Sequence, residues 1–146
     1  MKTCVSIAIL FILLSCNNRS GKLQWNLLGG TYEKVGEMVV WDGYWVEAYI
    51  DTTTNYQRLL FVNKDNYKTI SDSLNVGILK NEESIDYGTV ELNGKEDREI
   101  VAVFIKDDSL YHNKIVRAWK ANVKTGKFEE FPTYGIRVKN IDKHYR

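Results

Sequence analysis

From Glu37 onward the chain repeats one pattern, in which a run of apolar residues is followed by a cluster of turn-forming residues. The apolar runs are rich in valine, isoleucine, tyrosine and tryptophan, which fit strands better than helices. Short runs of this composition, separated by Gly, Asn, Asp and Ser, are typical of strands joined by turns. The pattern therefore predicts a mainly β protein.

The clearest hairpin has Asp42-Gly43 at its turn, a pair suited to a two-residue turn with positive φ at both positions. Side chains alternate between the two faces of a strand, so pairing across this turn assigns each residue to a face. The face expected to point into the core holds Val39, Trp41, Tyr44, Val46 and Ala48. The opposite face, expected to be partly exposed, holds Met38, Val40, Trp45, Glu47 and Tyr49.

Four further segments have the composition of strands. A strand is predicted through Arg58–Val62, and Lys114–Val123 with Lys127–Phe131 forms a second predicted hairpin around Gly126. Ile100–Ile105 is apolar on both faces, as expected for a central strand covered on both sides.

One segment, residues 67–81, favours a short helix, because Ile70, Leu74 and Ile78 recur every four residues, although Gly77 interrupts the pattern. A single proline and the lack of a Ser/Gly-rich stretch argue against an internal linker. We therefore expect a single antiparallel meander domain, packed as an open sandwich or curled into a small barrel, with at most one short helix.

The first sixteen residues have a different character: a lysine, an apolar run and then Leu13-Leu14-Ser15-Cys16. About ten apolar residues suit a secretory signal, whereas a membrane-spanning helix needs about 20, which disfavours an uncleaved anchor helix. The last four residues resemble the lipobox of bacterial lipoproteins. The resemblance implies cleavage before Cys16 and acylation of its thiol and new amino group, which makes a stable membrane anchor.

The lipoprotein resemblance divides the chain into a signal peptide (1–15), a lipidated cysteine with a polar tether (16–24) and a β-domain (25–146). The six tether residues after Cys16 span at most about 20 Å, so the domain is expected close to its membrane. In enteric bacteria an Asp after the lipidated cysteine retains lipoproteins at the inner membrane. Asn17 stands there in this chain, which implies the outer membrane, facing the periplasm.

The mature chain is predicted to be electrically neutral. Removing residues 1–15 takes away one of the 20 basic residues, Lys2, and leaves 19 against 19 acidic ones. A neutral domain has no long-range attraction for nucleic acid, so no nucleic-acid partner is expected. Cys4 is lost with the signal, which leaves no pair of cysteines for a disulfide.

Residues 91–101 resemble the calcium loop of FG-GAP and dockerin-type repeats, with Glu91, Asn93 and Glu99 at ligand positions. Lys95 stands where a third oxygen ligand belongs, and Glu96 replaces the glycine of the sharp turn. We therefore expect an ion-free connection that keeps the turn.

Three short segments resemble the Asp-Ser/Thr acceptor of a periplasmic O-glycosylation system found in some gut bacteria. The resemblance makes three hydroxyl groups candidate glycosylation sites, those of Thr52, Ser73 and Ser109. Asp-Ser and Asp-Thr are also ordinary turn pairs, so the pattern has a structural alternative.

The sequence offers no constellation typical of catalysis. His112 and His144 are far apart and lack metal-ligand spacing, and Glu129 and Glu130 are adjacent on a strand and so point to opposite faces. The common hydrolase and nucleotide-binding motifs do not occur. We expect no cofactor and no metal.

The favoured function is therefore a lipid-anchored, non-catalytic cell-envelope protein that binds a protein or a surface component. The alternatives are an enzyme acting on an envelope polymer and an immunity lipoprotein against a periplasmic toxin. Trp45 and Tyr49 share a strand face and are candidate partner-binding residues, because aromatic side chains are enriched at binding hot spots. The alternative for both is a second buried layer.

Overall fold

A computed structural model describes residues 31–65 and 69–144 of the chain. Residues 31–146 form one compact unit. The predicted signal peptide, lipidation site and tether lie outside the described residues. Within the described part the strands and the helix are β1 (Tyr32–Trp41), β2 (Tyr44–Asp51), β3 (Tyr56–Asn63), β4 (Thr69–Ile78), β5 (Glu83–Asp86), β6 (Val90–Leu92), β7 (Lys95–Glu96), β8 (Ile100–Ile105), β9 (Tyr111–His112), β10 (Ile115–Asn122), β11 (Lys127–Glu130), β12 (Ile136–Lys139) and α1 (Ile141–His144).

The strands form three antiparallel sheets of four strands each. The first sheet is a meander in the order β1-β2-β3-β4, the second has the order β11-β10-β8-β5, and the third β7-β6-β12-β9. The prediction of a mainly β, antiparallel domain with at most one short helix is confirmed for the described residues, and among them no sheet closes into a barrel.

Strand β8 is covered on both faces, as its apolar sequence predicts. Val101 and Val103 belong to a core cluster with residues of the first sheet, such as Val46 and Phe61. The alternate side chains of β8 pack in a second cluster with residues of the third sheet: Ile100, Ala102 and Phe104 against Val90, Ile136 and Val138. The second sheet is therefore the middle layer.

The short helix predicted for residues 67–81 is wrong, because residues 69–78 form strand β4, paired with β3. A spacing of four residues fits a period of two as well as a period of 3.6, so Ile70, Leu74 and Ile78 do not distinguish the two structures. Val76 distinguishes the strand from the helix. Leu74 and Val76 are two residues apart and both pack in the first core cluster, as expected for a strand, whereas Ile78 is exposed.

The faces predicted for β1 are also wrong near the turn, because β1 contains a bulge at Val40. Trp41 pairs with Tyr44, but Val39 pairs with Trp45 and Met38 with Val46, so one extra residue lies in β1. A one-residue shift moves side chains to the opposite face. Val40 is therefore buried in the core, while Val39 and Trp41 are exposed.

The turn of this hairpin has a positive φ at Gly43 alone (76°), whereas Asp42 keeps a negative φ, unlike the predicted turn. A Cβ atom at Gly43 would lie 1.8 Å from Oδ2 of Asp65, a contact that the exposed Asp65 side chain can relieve by moving, so the positive φ is the reason for glycine here. The second predicted hairpin, β10–β11, is present, with a positive φ at Gly126 (69°).

Candidate functional site

The two residues predicted to bind a partner, Trp45 and Tyr49, lie on the face of the first sheet opposite the core cluster. Tyr49 is only 3% exposed and its hydroxyl donates to Oε2 of Glu47 at 2.9 Å. Trp45 is partly buried, and Nζ of Lys64 lies 3.5 Å from its ring centroid. Tyr49 therefore belongs to a second buried layer, which was the alternative to partner binding, and its side chain is not exposed to a partner.

Glu47, expected to be partly exposed, is fully buried and forms the centre of an ion cluster. Its Oε1 lies 3.1 Å from Nζ of Lys34 and 3.8 Å from Nζ of Lys64, and Glu37 pairs with both lysines. A buried carboxylate without such partners would be strongly destabilising. The cluster therefore has a structural role, which is to hold β1, β2 and the end of β3 together.

The pKa values of Lys34 and Glu37 favour the charged forms of these two groups. Burial alone would lower the pKa of Lys34, but hydrogen bonds to Glu37 and Glu47 outweigh this effect and raise it. Hydrogen bonds from Lys34 and Lys64 lower the pKa of Glu37. Burial, followed by the hydrogen bond to Glu47, raises the pKa of the Tyr49 hydroxyl. The tyrosine therefore stays a hydrogen-bond donor.

The exposed aromatic residue of the hairpin is Trp41, which the sequence had placed in the core. Its side chain is 64% exposed, and Val39, two residues before it, is 37% exposed. Among the described residues no hydrogen bond involves the Trp41 indole. The Val40 bulge thus presents an aromatic and an apolar side chain to solvent at one end of the first sheet.

The loop that resembles a calcium site lies next to this hairpin. Asn93 and Gly94 both have positive φ (51° and 81°) and join β6 to β7 by a two-residue turn. The residues at ligand positions have other partners: Nη2 and Nε of Arg137 lie 2.6 and 2.7 Å from Oε2 of Glu91, and Nζ of Lys120 lies 3.0 Å from Oε2 of Glu99. Within residues 31–65 and 69–144 no group of three His, Cys, Asp or Glu side chains is arranged to hold a metal ion.

The hairpin and this loop enclose a groove of about 520 Å³, which we call the Trp41 groove. Its walls come from the end of β1, the connection from β7 to β8, and strand β10. The lining residues are Val39, Val40, Trp41, Asp42, Glu96, Asp97, Arg98, Glu99 and Lys120.

Hydrogen bonds fix the β7–β8 side of the groove. The backbone N–H of Ala121 donates to the carbonyl of Glu99 at 2.6 Å, and the N–H of Glu99 donates to Oδ1 of Asp97 at 3.0 Å. Nε of Arg98 lies 2.8 Å from Oε1 of Glu96. The hydrogen bond to Glu99 raises the pKa of Lys120, so the lysine stays charged at neutral pH. Hydrogen bonds and ion pairs within the domain therefore hold the polar lining in place.

A second cavity, of about 360 Å³, is lined in part by His112, a buried histidine. Its ring stacks on Phe104 at 4.7 Å, and its Nδ1 lies 3.1 Å from Oδ1 of Asp107. The backbone N–H of Ser109 donates to this carboxylate and is the main cause of its lowered pKa. The lining is Lys106, Asp107, Asp108, His112, Asn140, Asp142 and Lys143, which includes no hydroxyl or thiol nucleophile. A histidine beside a carboxylate has the composition of a catalytic base pair, but the backbone N–H of Asp107 also donates to Nδ1 at 3.2 Å, and the cavity lining holds no group for a base to activate.

The three candidate glycosylation hydroxyls are all on exposed residues. Thr52 lies in the β2–β3 turn and its hydroxyl donates to the carbonyl of Thr31 at 3.1 Å, Ser73 lies on β4, and Ser109 lies in the loop before β9. Their modification stays a prediction.

The chain matches no protein-family model, no curated protein and no solved structure. In the described part of the chain no helix has the length and apolar character needed to cross a membrane.

Sequence reasoning missed the Trp41 groove because it placed Trp41 on the core face. The available signal is the Asp-Gly pair itself. This pair also fits turns in which only the glycine has a positive φ, and such turns commonly occur beside bulges. The sequence does not show which residue is bulged.

We expect Trp41→Ala to leave the free energy of unfolding within about 0.5 kcal/mol of wild type, because an exposed side chain makes few contacts. The matched control is Trp119→Ala, which truncates a tryptophan that is 9% exposed in the core cluster. That change should cost about 3–5 kcal/mol. Urea unfolding of both variants measures the difference, and equal losses would show that Trp41 is a core residue.

Proposed function

We propose that this protein is a lipid-anchored, non-catalytic cell-envelope protein whose β-domain binds a protein or a surface component through the Trp41 groove. The observation that supports the proposal is the 64% exposure of Trp41 beside a concavity of about 520 Å³. Binding sites are typically concave, and tryptophan is among the residues enriched at binding hot spots. An exposed tryptophan without a structural role is consistent with such a use.

The anchoring part of the proposal rests on the lipobox-like Leu13-Leu14-Ser15-Cys16 and on the polar residues after it. Two or more acyl chains on Cys16 make membrane attachment stable. By resemblance, Asn17 favours the outer membrane, with the domain facing the periplasm. A groove on a domain held close to that membrane would meet components of the envelope.

A binding role is favoured over catalysis by the partners of the groove's charged residues. Glu99 is paired with Lys120 and Glu96 with Arg98, so both carboxylates are held in ion pairs and neither is placed as a free acid or base. The groove lining contains no hydroxyl or thiol nucleophile.

The alternative of an envelope-polymer enzyme is favoured by one observation, the His112–Asp107 pair in the second cavity. Cleavage of an envelope polymer that disappears in a His112→Ala variant would favour it over the binding role. The immunity role is a version of the binding proposal, with a toxin as the protein partner.

Replacing Cys16 with Ala should leave an unlipidated precursor, because no other cysteine follows the signal. In the native host the wild-type protein should partition into the detergent phase and incorporate labelled fatty acid. The variant should lose the label and migrate as the uncleaved form. An alanine variant that has the wild-type size and still partitions with lipid would contradict the lipoprotein proposal.

Truncating Trp41 should reduce recovery of the envelope component. Hot-spot residues contribute about 2 kcal/mol or more, which corresponds to roughly 30-fold in affinity. The experiment cross-links the full-length protein in intact native cells, purifies it and quantifies the adducts for wild type and Trp41→Ala. The control is Tyr134→Ala, which removes an aromatic side chain that is 91% exposed and outside the groove lining. Equal adduct levels for wild type and Trp41→Ala would exclude this groove as the site.

A further inference from the structure

The Trp41 groove combines a flat apolar surface with hydrogen-bonding groups. Trp41 and Val39 project from the same end of β1, and the rest of the exposed lining is charged. The face of an indole ring carries partial negative charge, so it attracts the polarised C–H groups of a sugar ring. Carboxylates beside such a ring accept hydrogen bonds from sugar hydroxyls. A pyranose ring carries both polarised C–H groups and hydroxyl groups, so an aromatic ring next to hydrogen-bond acceptors is complementary to it.

The charges of the lining select against an anionic ligand. Four carboxylates line the groove, Asp42, Glu96, Asp97 and Glu99, against two cations, Arg98 and Lys120. Both cations are already paired, with Glu96 at 2.8 Å and Glu99 at 3.0 Å. An acidic sugar, a phosphate or an anionic lipid head group would be repelled by the remaining negative charge. The complementary ligand is neutral and rich in hydroxyl donors.

The geometry also disfavours the common modes of peptide docking. A groove for an amphipathic helix needs a continuous apolar floor, and here the exposed apolar contribution is limited to Val39 and Trp41. Addition of a strand to the edge of β1 is hindered by its two bulges, at Val35 and Val40, because bulges disrupt the hydrogen-bonding edge.

From these observations we infer that the Trp41 groove binds a neutral saccharide chain of the cell envelope, with a sugar ring stacked on Trp41 and its hydroxyls bonded to the carboxylates. The inference rests on the proposed binding function and names the chemical class of its ligand. The volume of about 520 Å³ lies within the range of roughly 300–1,000 Å³ typical of small-molecule sites. Because the groove is open, a ligand can extend beyond it as a polymer.

The test is a calorimetric titration of the full-length lipoprotein in micelles of a detergent without a sugar head group. The neutral probes are chitotetraose and mannotetraose, and the anionic probe is tetragalacturonate. We expect at least one neutral probe to bind with millimolar or tighter affinity and tetragalacturonate not to bind. The affinity should fall at least tenfold in Trp41→Ala and stay unchanged in Tyr134→Ala, whose altered residue lies outside the groove lining.

Three results would overturn the inference: no binding of either neutral probe, equal binding of tetragalacturonate, or an equal loss in Tyr134→Ala. The outcome is separable from that of the cross-linking experiment. If no saccharide binds while cross-linking still depends on Trp41, the saccharide is the wrong ligand and a protein partner replaces it. If neither depends on Trp41, the proposed binding function is wrong as well.

Discussion

The burial of strand β8 on both faces is the constraint on which the rest of the domain depends. Val101 and Val103 pack against the first sheet, while Ile100, Ala102 and Phe104 pack against the third. A strand that is apolar on both faces must be covered on both sides, since exposure of either side would leave several large side chains in water. The three-layer arrangement follows from this strand.

The Trp41 groove forms because two irregular features meet at one end of the layers. On one side the Val40 bulge directs Val40 into the core and leaves Val39 and Trp41 outside. On the other side, the loop leading into β8 is attached to β10 through the carbonyl of Glu99 and the ion pair with Lys120. The core packing of the first two sheets brings the two sides together, so the groove is a consequence of how the sheets end.

The parts of the fold that could be predicted are those in which a single sequence pattern has one structural solution. The two-sided apolar run of β8 and the glycine-containing turn before β11 are examples. The helix predicted around Leu74 was wrong because a four-residue spacing satisfies both periods. The exposure of Trp41 was missed because a bulge changes the face of a residue without changing the composition of its strand.

Glu47 shows a second limit of sequence reasoning. An acidic residue in an aromatic strand was assigned to a partly exposed face, yet it is buried between Lys34, Lys64 and Tyr49. Lys34 lies on β1, Tyr49 on β2 and Lys64 directly after β3, so their convergence depends on the register of the sheet. Tyr49, a candidate partner-binding residue, therefore supports the buried ion cluster, whereas Trp41, expected in the core, is exposed.

The central claim, that the Trp41 groove is occupied in the envelope, is tested most directly by hydroxyl-radical footprinting in the native host. Oxidation of Trp41 and Tyr134 is compared between the purified full-length protein and the same protein in intact envelopes, with mass spectrometry as the measurement. Both side chains are exposed in the isolated domain, at 64% and 91%. We expect Trp41 to become protected in the envelope while Tyr134 keeps its reactivity. Equal oxidation of Trp41 in both preparations would contradict it.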